Sequence, residues 1–176
     1  QTIVDEEQAH AEYGPSSIKM SAHCPGYEGE SGTNPAAEMG TRIHEALETG
    51  DWSNLNDYES SLAQGCRNAE EAIFDNHGYS ENFGELDDYK EIRLTMKLTG
   101  EETFGTCDRL TVNGTEAVQI DYKTGQMAVD EPQDNWQAKA YALGAFQRFP
   151  QLDTIHFYFI ACRRDEILFH TFERKD

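Results

Sequence analysis

An aspartate and a lysine two residues apart, Asp121 and Lys123, follow an alternating apolar run in the segment Ile120-Asp121-Tyr122-Lys123-Thr124-Gly125. On an extended strand, residues i and i+2 leave the same face, so a carboxylate and an ammonium are presented together. The carboxylate can ligate a hard divalent cation through oxygen. The lysine can deprotonate a water as the neutral amine, or as the ammonium orient a water and offset the charge that develops when a phosphate is attacked. Alone, the spacing arises often by chance and usually marks a surface ion pair. Three other fragments change its weight: Gly40-Thr41-Arg42-Ile43-His44, Gly105-Thr106-Cys107-Asp108 and Gln137-Ala138-Lys139-Ala140-Tyr141.

Asp108 lies on the strand before Asp121, across the hairpin signal Asn113-Gly114. Symmetric pairing across a two-residue turn there sets Asp108 opposite about residue 119. Asp121 is then a diagonal neighbour, roughly 7–8 Å away at the backbone. Two carboxylates converging in this way repel unless a metal or a proton lies between them. A plain solvated strand edge is the less attractive account, because Gly105 and Asp108 are both poor strand formers in one short strand. Gly105 leaves room for a backbone or a ligand to approach. His44 comes one helical turn after Gly40; a lone histidine is more often a core or capping residue than a ligand. Gln137 and Tyr141 share a helical face, with Lys139 turned away. That pair could bond a phosphate, position Lys123 or cap a polar edge of the core.

The elements that must position these groups are legible from pattern. Residues 1–34 are polar and rich in Gly, Ser and Pro, and read as an arm or loop with one short helical turn around Ser16–His23. Asn34-Pro35 starts a helix that runs to about Glu48 and stops at Gly50. A second helix, about Leu55–Asn76, has apolar residues at 3–4 spacing and reads as a packing helix with no chemistry. The period then changes to two. Tyr89–Leu98 and Thr103–Val112 flank a turn at Gly100-Glu101-Glu102, and Glu116–Tyr122 completes an antiparallel meander. A helix follows from Pro132 to about Phe149, then strands at Thr154–Cys162 and Glu166–Phe172. The order predicts one α/β domain over 35–176, a mixed sheet with helices packed on it.

Composition sets bounds on function. With 33 acidic and 14 basic side chains the formal charge is −19, which counts against a nucleic-acid binder that neutralises phosphates along its surface. A local basic strip suffices, however, and carboxylates are what holds divalent cations. No apolar run of about 18 residues exists to span a membrane, and the acidic first ten residues lack signal-peptide features, so a cytoplasmic location is expected. Cys24, Cys66, Cys107 and Cys162 are widely spaced, with no CxxC pair. Free thiols are expected, with no zinc site or iron–sulfur cluster.

Taken in order, the fragments G-x-x-x-H, G-x-x-D, D-x-K-T-G and Q-x-x-x-Y resemble the RecB-like branch of the PD-(D/E)xK nuclease superfamily. Gly14-Pro15-Ser16-Ser17 and Cys24-Pro25-Gly26 look like the opening of small nucleases of that type common in bacteriophage genomes. The resemblance covers about residues 14–172. It implies a restriction-endonuclease-like αβββαβ core and metal-dependent hydrolysis of DNA phosphodiester bonds. Exonuclease action on DNA ends in replication or recombination is implied ahead of a structure-specific or single-strand endonuclease. A catalytically idle DNA-binding accessory module is the alternative of another class. By resemblance, His44, Asp108, Asp121 and the backbone carbonyl of Tyr122 would hold Mg²⁺ or Mn²⁺, with Glu91 a candidate outer or second-metal ligand. Lys123 would assist the attacking water, and Gln137 and Tyr141 would support the site or touch DNA. Some RecB-like nucleases carry an iron–sulfur cluster, but the clustered C-terminal cysteines it needs are missing from this sequence. Candidate DNA contacts are Lys19, Arg42, Lys139, Arg148, Arg163 and Arg164. Partners beyond DNA would be a second copy of the chain or a single-strand-binding or recombination protein.

Overall fold

The computed structural model describes residue 15 and residues 34–175. The expected N-terminal arm, apart from Pro15 and Asn34, and with it Lys19 and Cys24, lies outside the described residues. Helix α1, Pro35–Thr49, begins where Asn34 Oδ1 accepts the Ala37 N–H at 2.9 Å, with Pro35 in the first turn. It ends at Gly50, whose φ of 79° is one glycine adopts without cost and whose N–H closes on the Ala46 carbonyl. Helix α2, Asp57–Asn76, opens on a reciprocal cap: Asn56 accepts from the Glu59 N–H while the Glu59 carboxylate accepts from the Asn56 N–H. A 3₁₀ segment, Ser80–Glu85, leads into the sheet.

The strands are β1 Asp87–Leu98, β2 Glu101–Asn113, β3 Glu116–Tyr122, β4 Thr154–Ala161 and β5 Glu166–Glu173. They form one sheet in the order β1-β2-β3-β4-β5, antiparallel throughout except for the parallel pair β3–β4. The crossover between β3 and β4 carries helix α3, Trp136–Arg148. This helix starts four residues later than the Pro132 start expected from sequence. Pro132–Asp134 is instead a separate 3₁₀ turn, and Asn135 is extended, its side chain accepting the Gln137 and Ala138 N–H groups as the true cap.

The helices cover both faces. Ile92, Leu94, Met96, Leu110, Val112, Ala117, Phe157 and Phe159 pack with the alanine-rich side of α3, while Val118, Ile120, Tyr122 and Ile160 pack with α1 and α2. Ala117 and Val118, like Phe159 and Ile160, are neighbours buried on opposite faces, as a central strand with both faces covered demands. The order read from the sequence, two helices, three strands, a helix and two strands, is present, and the chain is of the α/β class with a mixed sheet.

The β2–β3 register corrects one expectation. Asn113 pairs with Glu116, Leu110 with Gln119 and Arg109 with Ile120. The turn residues are therefore Gly114-Thr115, Gly114 taking φ 62°, and not Asn113-Gly114. The pairing slides by two residues, which preserves which face each side chain uses. The pairs end at Arg109–Ile120, one step short of Asp108 and Asp121, and Gln119 is opposite Leu110 rather than Asp108.

Candidate metal centre

Pairing is interrupted where the site begins. Along β1–β2 the register passes from Lys90–Arg109 to Ile92–Cys107, leaving Glu91 and Asp108 out of the paired positions. Glu91 has φ 48°, the left-handed region, which costs a non-glycine residue roughly 1–3 kcal/mol and tends to persist at functional sites. On the other side the β2–β3 pairs stop at Arg109–Ile120, and the next available N–H, that of Tyr122, donates to Asp108 Oδ2 at 2.6 Å. A side-chain carboxylate thus takes the place of a ladder carbonyl. Two local irregularities free Glu91 and Asp108 to face helix α1. There His44, Glu91 and Asp108 each offer a ligand atom, all within 4.8 Å of one another.

Each fragment singled out from the sequence touches another. His44 Nδ1 lies 3.1 Å from Asp108 Oδ1. Lys123 Nζ donates to Gln137 Oε1 at 2.5 Å and pairs with Asp121 Oδ2 at 2.7 Å. The Tyr141 hydroxyl donates to the Thr106 carbonyl at 2.6 Å. Two glycines are explained by the same convergence. A Cβ on Gly40 would meet Thr124 Oγ1 at 2.8 Å. On Gly105 it would meet Pro15 Cδ at 2.6 Å and the Tyr141 ring at 3.1 Å.

Asp121 lies outside the close group of His44, Glu91 and Asp108 and faces Lys123. Its Oδ2 is buried, and the lysine contact, though close, does not have hydrogen-bond angles. That leaves a sheltered anionic oxygen short of donors. Glu91, expected only as an outer candidate, belongs to the close group.

The electrostatics follow from crowding acids in a partly closed space. Burial opposes charging His44, but the Asp108 hydrogen bond and the charges of Asp108, Asp121 and Glu91 outweigh it and raise its pKa to about 9. Burial, then the Asp108 charge, push Glu91 up to about 7. Burial drives Asp121 upward against the opposing pull of Lys123. Both shifts act to reduce the net negative charge of the cluster: a protonated imidazole adds a positive charge and a protonated Glu91 removes a negative one. An imidazole with carboxylate oxygens this close together is a donor set that can hold a metal ion. The unsatisfied Asp121 Oδ2 fits the same occupant.

Among the described residues, the basic side chains expected as DNA contacts lie on separate elements. Arg42 on α1 is paired with Glu59. Lys139, over the Trp136 ring at 5.4 Å, and Arg148, bonded to the Arg93 carbonyl at 3.0 Å, lie on α3 across the sheet. Arg163 and Arg164 occupy the β4–β5 turn, Arg164 paired with Glu166 at 2.9 Å.

Helix α2 was expected to supply packing alone; it also supplies buried acids. Glu59 and Glu70 are each 3% exposed. Glu70 accepts from Arg67, Arg109 and the Tyr122 hydroxyl. A signal existed: Glu70 falls between Cys66 and Ile73 on the apolar stripe, where a solvated glutamate does not belong. Cys66, Cys107 and Cys162 are free, as expected, the first two buried.

Residues 10–175 match the model of the family DUF2800, described as proteins of unknown function. The chain belongs to the DUF2800 family. No curated protein matches it. Among solved structures, this DUF2800 chain is similar to one titled "Crystal structure of SSO0001", with 13% identity, a TM-score of 0.33, and coverage of 90% of this chain and 75% of that one. A similarity so slight bears on neither fold nor chemistry. No helix of the described residues is long and apolar enough to cross a membrane.

Proposed function

We propose that this DUF2800 chain is a divalent-metal-dependent deoxyribonuclease that hydrolyses phosphodiester bonds, with exonuclease action on DNA ends the form its sequence resemblance favours. One observation carries the reading. Four fragments spread over about a hundred residues come into contact, where an imidazole and two carboxylates converge beside a lysine–aspartate pair.

His44, Glu91 and Asp108, joined by Asp121 and the Tyr122 carbonyl, would hold Mg²⁺ or Mn²⁺. When bound, the ion supplies a Lewis acid for a phosphoryl oxygen and lowers the pKa of a bound water. The remaining work belongs to the chain. Lys123 is held from two sides, by Asp121 and by Gln137, and lies 5.0 Å from the Phe159 ring centroid. That fixes an ammonium beside the acids, where it can orient a water and stabilise charge on a phosphate under attack. Tyr141, bonded to the Thr106 carbonyl, steadies the strand that leads into Asp108. With a formal charge of −19, the protein needs the cation to bring a polyanion to these carboxylates.

The test is cleavage of 5′- and 3′-labelled linear DNA, single- and double-stranded, against closed circles, with Mn²⁺ or Mg²⁺. Cutting of linear forms alone is expected, with Asp121→Asn and Lys123→Ala abolishing it while circular dichroism is unchanged. Cutting of closed circles would make the enzyme an endonuclease. Metal binding without product from any DNA form would refute the nuclease reading in favour of a DNA-binding module.

A further inference from the structure

We propose that Glu70, on helix α2 and outside the cluster, is a positioning residue for the cation site, acting through Tyr122; this rests on the reading of His44, Glu91 and Asp108 as cation ligands. Tyr122 braces two of the three. Its backbone N–H grips Asp108 Oδ2 at 2.6 Å, and its ring meets the His44 ring edge-on at a centroid distance of 5.9 Å. The ring's far end is tied to Glu70 Oε2 through the hydroxyl. The other carboxylate oxygen accepts from Arg67 at 2.9 Å and from Arg109, the residue that follows Asp108. A single buried carboxylate therefore holds the neighbour of Asp108 on β2 and its hydrogen-bond donor on β3.

Arg109 is clamped further by Asp88, through Nε at 2.9 Å and Nη2 at 3.0 Å, and Asp88 also accepts from Thr111 at 2.8 Å. The network joins α2, β1, β2 and β3 where β2 and β3 stop pairing. The ladder bonds that normally fix strand separation end there, so something else must set the gap that Asp108 fills. Buried ion pairs are poor sources of net stability compared with apolar packing. Their value at this location is directional: Tyr122 has one place to put its hydroxyl, and its N–H and ring follow. Groups that orient metal ligands from behind commonly change metal affinity by 10–100-fold when removed.

The experiment measures Mn²⁺ affinity of the full chain by electron paramagnetic resonance, with thermal melting in parallel, for wild type, Tyr122→Phe, Glu70→Gln and the double variant. Tyr122→Phe keeps the ring and is the variant expected to fold if Glu70→Gln does not. About a tenfold rise in Mn²⁺ Kd is expected for either single change, with no further rise in the double variant because both act along one path. Kd within twofold of wild type in folded variants, with only the melting point lowered, would make the network merely structural and overturn the proposal. A wild type that binds Mn²⁺ but cuts no DNA would remove the nuclease reading and leave this inference standing. A wild type that binds no Mn²⁺ would overturn both.

Discussion

Replacing Glu91 by Gln should stabilise the metal-free protein at neutral to alkaline pH and destabilise it relative to wild type once Mn²⁺ is present. Glu91 sits with Asp108 and Asp121 as like-charged neighbours, and its pKa is raised from the ordinary 4.5 to about 7. Between those values the folded protein keeps a proton that the unfolded chain has released, so stability falls as pH rises through the window. A shift of that size corresponds to about 3 kcal/mol above pH 7 for a fully sheltered group. Glu91 is only partly buried, and solvent screening reduces the figure to about 1–2 kcal/mol. Glutamine has the same shape and retains the φ of 48°, so the substitution isolates the charge. At pH 8 in chelator, Glu91→Gln should melt about 2–8 °C above wild type, using about 2–4 °C per kcal/mol for a chain of this size. At pH 4.5 the difference should vanish. Saturating Mn²⁺ should reverse the order, because wild type gains more from ligand binding than a variant lacking one donor. A Glu91→Gln protein that melts below wild type at pH 8 in chelator would refute the reasoning, as would a gain undiminished at pH 4.5.

Two other outcomes can be checked directly. In Gly144→Ala the new Cβ would stand 2.9 Å from Met96 Sδ and 3.0 Å from Leu94 Cβ, forcing α3 off β1; urea unfolding should show a loss of about 1–3 kcal/mol. His77 and His156 lie with ring centroids 4.4 Å apart and both have lowered pKa values, from burial and, for His77, from the charge of His156. Below pH 6.5 the unfolded chain takes up protons that these rings resist, so stability falls as pH drops. Glu116, 3.9 Å from His156, opposes this only in part. His156→Gln should flatten the acid side of a plot of urea midpoint against pH, and an unchanged slope would contradict the assignment.

Sequence by itself determined a great deal of this protein, because period and capping are local properties. Asn34-Pro35 and Gly50 bound α1 as expected, and the switch from 3–4 spacing to alternation marked the passage from α2 to β1. Even the misplaced hairpin turn preserved the faces, since a two-residue slip keeps side-chain parity. Residue types with one chemistry, His44, Asp108, Asp121 and Lys123, were visible for the same reason.

Only the tertiary structure decided how they group. Glu91 joins His44 and Asp108 because one left-handed residue and two interrupted ladders turn its carboxylate towards α1. No local pattern encodes that. Asp121 pairs with Lys123, two residues on, and stays outside that close group. Glu70 stands on the apolar stripe of α2 between Cys66 and Ile73, a position that marks it for burial but names no partner. It becomes a buried clamp only when Arg109 and Tyr122 arrive from strands roughly forty and fifty residues away. Burial of charge is a property of what packs against a residue, and that partner is chosen by the fold.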